Sequence, residues 1–534
     1  MNKKLLNIVF ILQLVVVGLV VSGIISRFAV PYFVLLLAIY FIWAPLEDGT
    51  VFFVRSIPFF IAIPLTMHFD SLNTWRVLSI VLFLKWLEPT NELKNGFPKI
   101  KKFFAYNKER RVYLVLMTLL ILSVASILVS TSHTLAIKRI VYFINLSLIG
   151  IIVYDLASKS LQFRIRLAKN IAVPVVLVTL LGFIQLATTY LMDIFRFIEF
   201  WGEIVELNLF GSAWSAIVTK ANTWFAYFGS QLSLRMFSIF PDSHSFPTFL
   251  LLGLPSLFAL SLTKILDKPH TGLKSMLMTR ASLLIVFVPT VFLALILSGT
   301  RGIWVGGGGV VLVAFIWLII FRKYRVEKEK ISIFKYLSSY LVIFFLLFSV
   351  ALPIIASPQF LLAKDSALLL GNRFRSIIDA GETSNKRRLE IWNASVQSIA
   401  HRPILGVGIS NFPVVVGEDL AKAKAGSTAH NLYLNIAAEM GIPALLVALY
   451  FLWLLIKKTY GNFRGSTHSN TSGQASNFWT IYYGASLLFI PWVLFYSMTD
   501  AILFDERVFL LFGIICAVIF SQSSIKSEQV KNPK

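Results

Sequence analysis

The sequence predicts an all-α membrane protein, a polytopic helical bundle with about fourteen transmembrane helices. Of its 534 residues, 57% are hydrophobic and only 14% are charged, too few to give a soluble protein of this length its polar surface. Apolar runs of about 18 or more residues recur along the chain, and because lipid offers no hydrogen bonds, such runs span the bilayer as helices. The predicted spans are 5–25, 28–45, 51–67, 72–88, 112–130, 135–157, 171–192, 246–266, 281–298, 302–321, 334–355, 432–456, 478–499 and 502–521.

Two of these spans have the weakest pattern because charged residues lie inside them. Arg55 lies in the third span, which Pro58 and Pro64 also interrupt, and Lys85 lies in the fourth. A charge within lipid is costly, and a proline removes a backbone hydrogen bond from a helix.

Basic residues in short loops predict the orientation of the protein. With a cytoplasmic N-terminus, the basic loops after spans four, six, eight, ten and twelve all fall on the cytoplasmic side. We therefore predict a multi-pass protein of the cytoplasmic (inner) membrane with both termini in the cytoplasm. Met1-Asn2-Lys3-Lys4 leads into an uncleaved first span. The net charge of +23 reflects these loops and anionic membrane lipid rather than a nucleic-acid partner.

The same topology divides the chain into four regions, of which the third is the largest polar insertion. Outer loops of this length are usually functional. The regions are an N-terminal transmembrane bundle over 1–192, a central transmembrane region with a first outer loop over 193–355, a large extracytoplasmic loop over 356–429, and C-terminal transmembrane helices over 430–534.

The large outer loop contains a short amphipathic helix and a group of cations. Leu389, Trp392, Val396 and Ile399 recur at helical spacing and predict a helix over 387–400 that suits a membrane surface. Outer loops are usually poor in cations, so this group suggests an anionic ligand, with a solvated or lipid-facing surface as the alternative. The cations are Arg373, Arg375, Lys386, Arg387, Arg388 and Arg402.

Two further arginines lie at predicted outer turns. Arg301 stands in Ser298-Gly299-Thr300-Arg301-Gly302, a turn short enough to hold it near the membrane surface. There its guanidinium matches phosphate or, alternatively, reaches lipid headgroups. The glycine run 306–309 lies inside a span and indicates close helix packing rather than a phosphate loop. Arg235 precedes the eighth span, with His244 near it, in what is either a site or an ordinary polar loop.

His430 lies where the large loop ends and the twelfth span begins. A neutral histidine there can exchange a proton near physiological pH, although the alternative is a residue that caps the helix. Glu439 in the same span is either a buried charge of the kind that is often functional or the mark of a bend, with a surface helix before it and the span beginning near Ile442. The single cysteine, Cys516, offers neither a disulfide nor a metal-binding pattern and is a packing residue.

Several motifs, in order along the chain, resemble the O-antigen ligase and O-antigen polymerase superfamily. The resemblance covers roughly residues 230–450, and the ordered combination is more specific than any single motif. The motifs are Ser298-Gly299-Thr300-Arg301-Gly302, the Trp392 helix beginning at Arg388, the turn His401-Arg402-Pro403-Ile404-Leu405-Gly406-Val407-Gly408, Ala429-His430-Asn431-Leu432-Tyr433, and Glu439-Met440-Gly441-Ile442-Pro443.

The resemblance implies a GT-C-like membrane glycosyltransferase that polymerises or ligates glycans outside the cytoplasmic membrane, without a metal or other cofactor. It implies a donor glycan linked to polyprenyl pyrophosphate and a glycan, lipid or protein acceptor. By resemblance, His430 and Arg301 are catalytic, and Arg235 and Arg301 bind the phosphates. The chain departs from the family at Pro241-Asp242-Ser243-His244, where a Pro-Asn pair is common. Further substrate-binding candidates within the motifs are Arg388, Arg402, Asn431 and Glu439.

Two other classes of function stay open at this point. One is a flippase or other transporter of lipid-linked oligosaccharides, and the other is a non-catalytic scaffold in envelope assembly. Many transporters are built from two similar halves with the binding site at the bilayer midplane. This chain shows no internal repeat, and its candidate residues gather on one predicted face. We therefore predict an enzyme in which Arg235, Arg301 and His430 meet at the outer membrane boundary.

Overall fold

The protein is built mainly of long apolar helices. The computed structural model describes residues 3–66, 70, 72–87, 110–212, 214–216, 224–228, 231–266, 280–361, 383–418, 428–466 and 473–521. Within these residues, nine helices are long and apolar enough to cross a membrane, and two shorter apolar helices accompany them. The predicted class, a polytopic helical membrane protein, is confirmed, and the count of about fourteen spans stays a prediction. Parts of the predicted outer loop, 362–382 with Arg373 and Arg375 and 419–427, lie outside the described residues.

The N-terminal part of the chain contains nine helices in its described residues. A π-helix, Ile198–Glu206, joins the last two of them, and 3₁₀ turns lie at Arg27–Ala29, Ile57–Phe59 and Ser126–Val129. The helices are α1 (Lys3–Val21), α2 (Val30–Trp43), α3 (Leu46–Ser56), α4 (Thr74–Leu87), α5 (Arg110–Ala125), α6 (His133–Lys159), α7 (Leu161–Thr188), α8 (Ile194–Phe197) and α9 (Leu207–Phe210).

The described C-terminal part contains nine more helices, and two short antiparallel strand pairs complete the fold. Strand β1 (Ala62–Ile63) pairs with β2 (Leu72–Asn73), and β3 (Phe225–Phe228) pairs with β4 (Gln231–Leu234). The helices are α10 (Ser245–Leu266), α11 (Arg280–Leu297), α12 (Arg301–Lys323), α13 (Lys328–Leu346), α14 (Phe348–Ala356), α15 (Thr383–His401), α16 (Leu432–Gly465), α17 (Gly473–Tyr496) and α18 (Glu506–Phe520). Helix α15 contains the segment 387–400 that was predicted to be helical.

The predicted third span, 51–67, is wrong as a continuous helix. Helix α3 ends at Ser56, a 3₁₀ turn containing Pro58 follows, and the chain then extends into β1. Proline lacks the N–H group that would continue the helix. Irregular backbone at membrane depth is tolerated where protein surrounds it, and residues 56–64 are accordingly all buried.

The two cations inside the predicted third and fourth spans are bound by protein oxygen atoms. Lys85 donates hydrogen bonds to three carbonyl groups at the C-terminal end of α2, where the helix dipole favours a positive charge. Arg55 donates to the side-chain oxygen atoms of Asn7 and Asn170. Both charges are therefore compatible with the interior of a helical bundle.

Helices α10 and α17 form the centre of the C-terminal half. Of their apolar stretches, 94% and 83% respectively are buried within the protein. The two helices pack on each other, with the rings of Phe258 and Phe489 stacked at 5.5 Å. Because protein surrounds both helices, the residues at their ends, Ser245 and Tyr496, are held at fixed positions.

The glycine run in α12 packs closely against α17. A Cβ atom added to Gly307 would lie 2.8 Å from the buried indole of Trp492, and that indole donates a hydrogen bond of 2.9 Å to the carbonyl oxygen of Ile303. Gly308, the next residue, has no described atom within 4 Å of its added Cβ position. The run therefore has one face that requires glycine and one that does not.

Gly307→Ala is expected to destabilise the protein, because the new methyl group overlaps the buried indole of Trp492; overpacking of this kind costs about 1–3 kcal/mol. Gly308→Ala is the matched control, and it should keep or slightly raise stability, since alanine favours helices over glycine by about 1 kcal/mol. Thermal unfolding of both purified variants in detergent checks this. Equal midpoints for the two variants would contradict the packing described above.

Candidate functional site

Six helix ends meet at the candidate site: α10, α12, α16 and α18 begin there, and α11 and α17 end there. Backbone hydrogen bonds connect these ends. The N–H of Met236 donates to the carbonyl of Leu297 (3.0 Å), and the N–H of Leu432 donates to the carbonyl of Ser497 (2.8 Å). Exposed basic residues mark the opposite end of the bundle. Helix α12, with its 23 residues, ends there at Lys323, about 34 Å from its start.

A buried glutamine fixes the loop that carries Arg235. The side-chain oxygen of Gln185 accepts hydrogen bonds from the N–H groups of Phe237 (3.0 Å) and Ser238 (2.9 Å), and its amide nitrogen donates to the carbonyl of Ser238 (2.9 Å). The N–H of Arg235 donates to the carbonyl of Trp224 at 2.7 Å. These bonds fix the backbone of the loop. The Arg235 side chain points from it to the start of α12.

Arg235 lies beside the turn that carries Arg301. Its Nη2 atom donates to the hydroxyl of Thr300 (3.3 Å), which in turn donates to the carbonyl of Ser243 (2.7 Å). Burial, followed by the nearby positive charges of Arg388 and Arg301, lowers the pKa of Arg235 to about 10, so the group is still a cation at neutral pH. Its Nε atom is buried and has no hydrogen-bond partner among the described residues. A half-buried cation whose buried Nε donor has no partner among the described residues favours an anionic ligand.

His430 is held in an unusual backbone conformation by its neighbours. Its φ of +46° lies in the left-handed region, which costs a residue with a side chain about 1–3 kcal/mol. Both backbone polar groups of the preceding residue are held. The N–H of Ala429 donates to the side-chain oxygen of Asn435 (3.0 Å), and the indole of Trp392 donates to the carbonyl of Ala429 (3.0 Å). Asn431 caps α16 by accepting two backbone N–H groups. The Nδ1 atom of His430 is buried without a partner among the described residues.

A second histidine, His244, contacts Tyr496 and Asp500. Its Nδ1 atom lies 2.6 Å from the hydroxyl oxygen of Tyr496 and 3.2 Å from Oδ2 of Asp500. Burial, and then the charges of Arg235 and other cations, lower the pKa of His244 well below its usual value. Its imidazole is therefore neutral, so its contact with Asp500 is not an ion pair, and the hydrogen bond that Nδ1 makes is with the hydroxyl of Tyr496. Burial raises the pKa of Asp500, and the charge of His430 opposes this rise.

Arg388 reaches the same group from α15. It is half-buried, whereas its neighbours Lys386 and Arg387 are exposed. Its positive charge acts on Arg235, His244 and Asp500. Arg388 and Trp392 are four residues apart and share a face of the helix, so α15 supplies both a cation and the donor that fixes the Ala429 peptide.

Two of the predicted substrate-binding residues lie away from this group. Arg402 is exposed just beyond α15, about 21 Å from Arg388 along the helix axis. Glu439 is buried, and its carboxylate accepts hydrogen bonds from the backbone N–H groups of Ser410 and Phe412 and from the side chain of Asn435. Their substrate-binding roles stay predictions, and the structure gives Glu439 a different task.

Glu439 belongs to a break in α16 that the preceding turn fills. The backbone at Gly441 has a φ of +84° and leaves the helical path. The carbonyl groups of Ala438 and Glu439, freed by the break, accept hydrogen bonds of 2.9 Å from the N–H groups of Val407 and Gly408. The bend that was one of the two readings of Glu439 is therefore present, and this carboxylate and the turn over 403–412 hold each other.

The structure brings together four predicted residues. Arg235 lies beside Thr300, and the charges of Arg388 and Arg301 act on it. The charges of Arg235, Arg388 and His430 act in common on His244. Sequence reasoning did not assign Tyr496 and Asp500, and it noted His244 only as a neighbour of Arg235. Asp500 carried a usable signal, because it lies in the turn between the last two predicted spans, on the same predicted face as His430. Tyr496 lies at the end of an apolar span and carried none.

Part of the chain matches a known protein family. Residues 283–449 match a family model described as O-antigen ligase. This range contains Arg301, Arg388 and His430, whereas Arg235, His244 and Asp500 lie outside it. A comparison with curated proteins found no match.

Glu439→Gln is expected to lower the thermal stability of the protein. The carboxylate accepts from three donors, and an amide leaves at least one of them facing an NH₂ group, at a cost of about 1–3 kcal/mol. Glu390→Gln on the exposed face of α15 is the matched control, and its unfolding midpoint should equal that of the wild type. If the midpoint of Glu439→Gln also equals that of the wild type, Glu439 does not hold the turn.

Proposed function

We propose that this polytopic membrane protein is a metal-independent glycosyltransferase of the O-antigen ligase and polymerase superfamily of polysaccharide biosynthesis. Its match over residues 283–449 to a family model described as O-antigen ligase supports this proposal. It transfers a glycan from a polyprenyl-pyrophosphate donor to an acceptor hydroxyl on a glycan, a lipid or a protein. The reaction takes place at the extracytoplasmic face of the cytoplasmic membrane. The bundle is of the GT-C type, with about fourteen spans and both termini in the cytoplasm.

The observation that carries this proposal is the meeting of cations with a histidine at one end of the bundle. Arg235 is affected by the charges of Arg301 and Arg388, and Asp500 is affected by those of His430 and Arg388. The Nε atom of Arg235 and the Nδ1 atom of His430 are both buried without a partner in the part of the chain that the structure describes. A pyrophosphate is an anion that guanidinium groups recognise by charge and shape.

The chemistry follows from where charge develops during transfer. The bond between the anomeric carbon and the pyrophosphate oxygen breaks, and its electron pair stays on the pyrophosphate, which gains negative charge. Arg235, Arg301 and Arg388 stabilise that charge because they are fixed before the reaction begins. The acceptor oxygen forms the new bond to the anomeric carbon, and its proton passes to the imidazole of His430, the general base.

The position of the site at a helix end suits a lipid-linked donor. Pyrophosphate lies at headgroup depth while the polyprenyl chain stays in the hydrocarbon layer, and the glycan extends into water. Exposed basic residues such as Arg322 and Lys323 at the opposite end of the bundle support the proposal that the site faces outward. A flippase, by comparison, is expected to carry its charged groups near the bilayer midplane, and this group of residues lies at one end.

Loss of the proposed catalytic groups is expected to abolish polysaccharide assembly. In a strain lacking the gene, complementation with His430→Ala or Arg301→Ala should leave polyprenyl-linked units unprocessed, with loss of polymer or ligated product. We expect at least a 100-fold decrease in product, since a general base contributes about 10²–10⁴-fold. Mass spectrometry of extracted lipids together with glycan profiling measures both quantities.

Arg322→Ala, an exposed cation at the opposite end, is the control for that experiment and should restore normal glycan. Normal glycan with His430→Ala or Arg301→Ala at wild-type protein levels would remove the proposed roles. Polyprenyl-linked glycan units that accumulate on the cytoplasmic side of the membrane would indicate a flippase instead.

Cysteine labelling is expected to place α15 outside and the end of α12 inside. The background is Cys516→Ser, which removes the one cysteine of the chain. In this background, Asn393→Cys and Tyr324→Cys introduce exposed thiols at the two ends. A membrane-impermeant maleimide should label the first in intact cells and the second only after permeabilisation. The reverse pattern would overturn the proposed orientation.

A further inference from the structure

His244 stands at the start of α10, where two other elements fix its imidazole. Its N–H donates to the carboxylate of Asp242 (2.8 Å), and its carbonyl accepts from the hydroxyl of Thr248 (2.8 Å). Its ring lies almost parallel to that of Tyr496, at an interplanar angle of 8°. The side chain is 14% exposed, and that of Asp500 is 13% exposed. The proposed chemistry has so far assigned no task to this histidine.

The contacts of Nδ1 determine which ring nitrogen carries the hydrogen. Nδ1 lies within hydrogen-bond distance of the carboxylate of Asp500 (3.2 Å) and the hydroxyl of Tyr496 (2.6 Å). The hydrogen bond that the structure shows joins Nδ1 to the hydroxyl of Tyr496. An ionised carboxylate only accepts hydrogen bonds, so the approach of Nδ1 to an ionised Asp500 is favourable when Nδ1 carries the hydrogen. A hydrogen bond donated to a carboxylate favours its ionised form, which opposes the effect of burial on Asp500.

Asp500 faces charged groups from several elements. These are His430 at the start of α16, Arg388 on α15, Asp242 before α10 and His244 itself. Of the first three, His430 has the largest effect on the carboxylate, and the interaction is attractive. The Nδ1 atom of His244 lies 3.2 Å from Asp500. The hydrogen bond from Leu432 to Ser497 joins the turn of His430 to that of Asp500, and the carboxylate stabilises the positive form of His430.

We propose that His244 is a positioning residue for glycan transfer: its Nδ1–H, which lies 3.2 Å from Oδ2 of Asp500, turns to that carboxylate and so holds it ionised beside His430. This inference rests on the proposed function, in which His430 takes the proton of the acceptor hydroxyl. As that proton moves, His430 becomes an imidazolium and the pyrophosphate leaves with its electron pair. The carboxylate of Asp500 stabilises the imidazolium, and His244 acts on the reaction through Asp500 alone.

The test measures transfer by purified protein in nanodiscs. The donor and acceptor source is a membrane lipid extract from the strain that lacks the gene, and the readout is release of polyprenyl pyrophosphate by mass spectrometry. His244→Leu removes the donor at similar volume and should lower kcat about 10- to 100-fold, less than loss of the base itself. The apparent KM for the extracted donor should change less than about threefold, since the arginines that bind it are intact.

Two further variants separate positioning from a structural role. His244→Asn keeps an N–H donor near the position of Nδ1 and should restore kcat to within about fivefold of wild type. Asp500→Asn should lower kcat at least as much as His244→Leu does. In the double variant His244→Leu/Asp500→Asn, kcat should equal that of Asp500→Asn, because residues that act through one another are not additive. His244→Gln keeps a polar side chain but places its amide near the position of Nε2 rather than Nδ1, and it serves if His244→Leu does not fold; it should lower kcat without raising KM.

The outcomes distinguish this inference from the proposed function. If His430→Ala is inactive while His244→Leu is as active as the wild type, the positioning role is overturned and the proposed function stands. Additive losses in the double variant, or equal losses in His244→Asn and His244→Leu, would also overturn it. If His430→Ala keeps wild-type activity in the same assay, the proposed function fails before His244 is considered.

Discussion

Every polar group inside a membrane protein must find its partner within the protein, and this constraint governs the whole structure. Lys85 lies against carbonyl groups at the end of α2, and Arg507 donates to backbone carbonyls while its guanidinium lies 4.4 Å from the ring of Phe210. Arg164 rests over the ring of Trp479 at 4.6 Å. Each of these arrangements offsets the cost of burying a cation. Arg235, by contrast, has one side-chain hydrogen bond, to a neutral hydroxyl, in the described structure.

The backbone around His430 obeys the same constraint and thereby fixes the site. A helix that breaks at Gly441 exposes carbonyl groups that lipid cannot satisfy, and the turn over 403–412 supplies their donors. That turn follows directly on α15, whose Trp392 fixes the Ala429 peptide. The glycine turn and the broken helix, which stand apart in the sequence, are thus one structural unit. This unit holds His430 at a fixed position in the protein and in a backbone conformation that an unfolded chain rarely adopts.

Hydropathy predicted most of the long helices, because the period and length of apolar runs are local properties of the chain. It did not predict that α3 ends at Ser56, since what permits irregular backbone there is burial by distant helices. The meeting of Arg235, Arg301 and His430 followed from topology, which places helix ends on one face. The distance between Arg388 and Arg402 was not predicted, because grouping the cations of one loop does not take into account that a helix separates their side chains along its axis. The pairing of His244 with Tyr496 and Asp500 depends on how α10 and α17 pack, which no local pattern encodes.

In the proposed reaction, the balance of charge at the site favours the transition state over the bound donor. The mutual repulsion of Arg235, Arg301 and Arg388 contributes to the lowered pKa of Arg235, and an arriving pyrophosphate relieves this repulsion. The relief increases as the leaving group gains charge during bond cleavage, so the interaction strengthens along the reaction coordinate, which is the condition for catalysis. On the other side of the reacting centre, the proton reaching His430 creates a positive charge. An ionised Asp500 next to it keeps this charge from opposing the arginines, and for that reason a carboxylate belongs in a site otherwise built of cations.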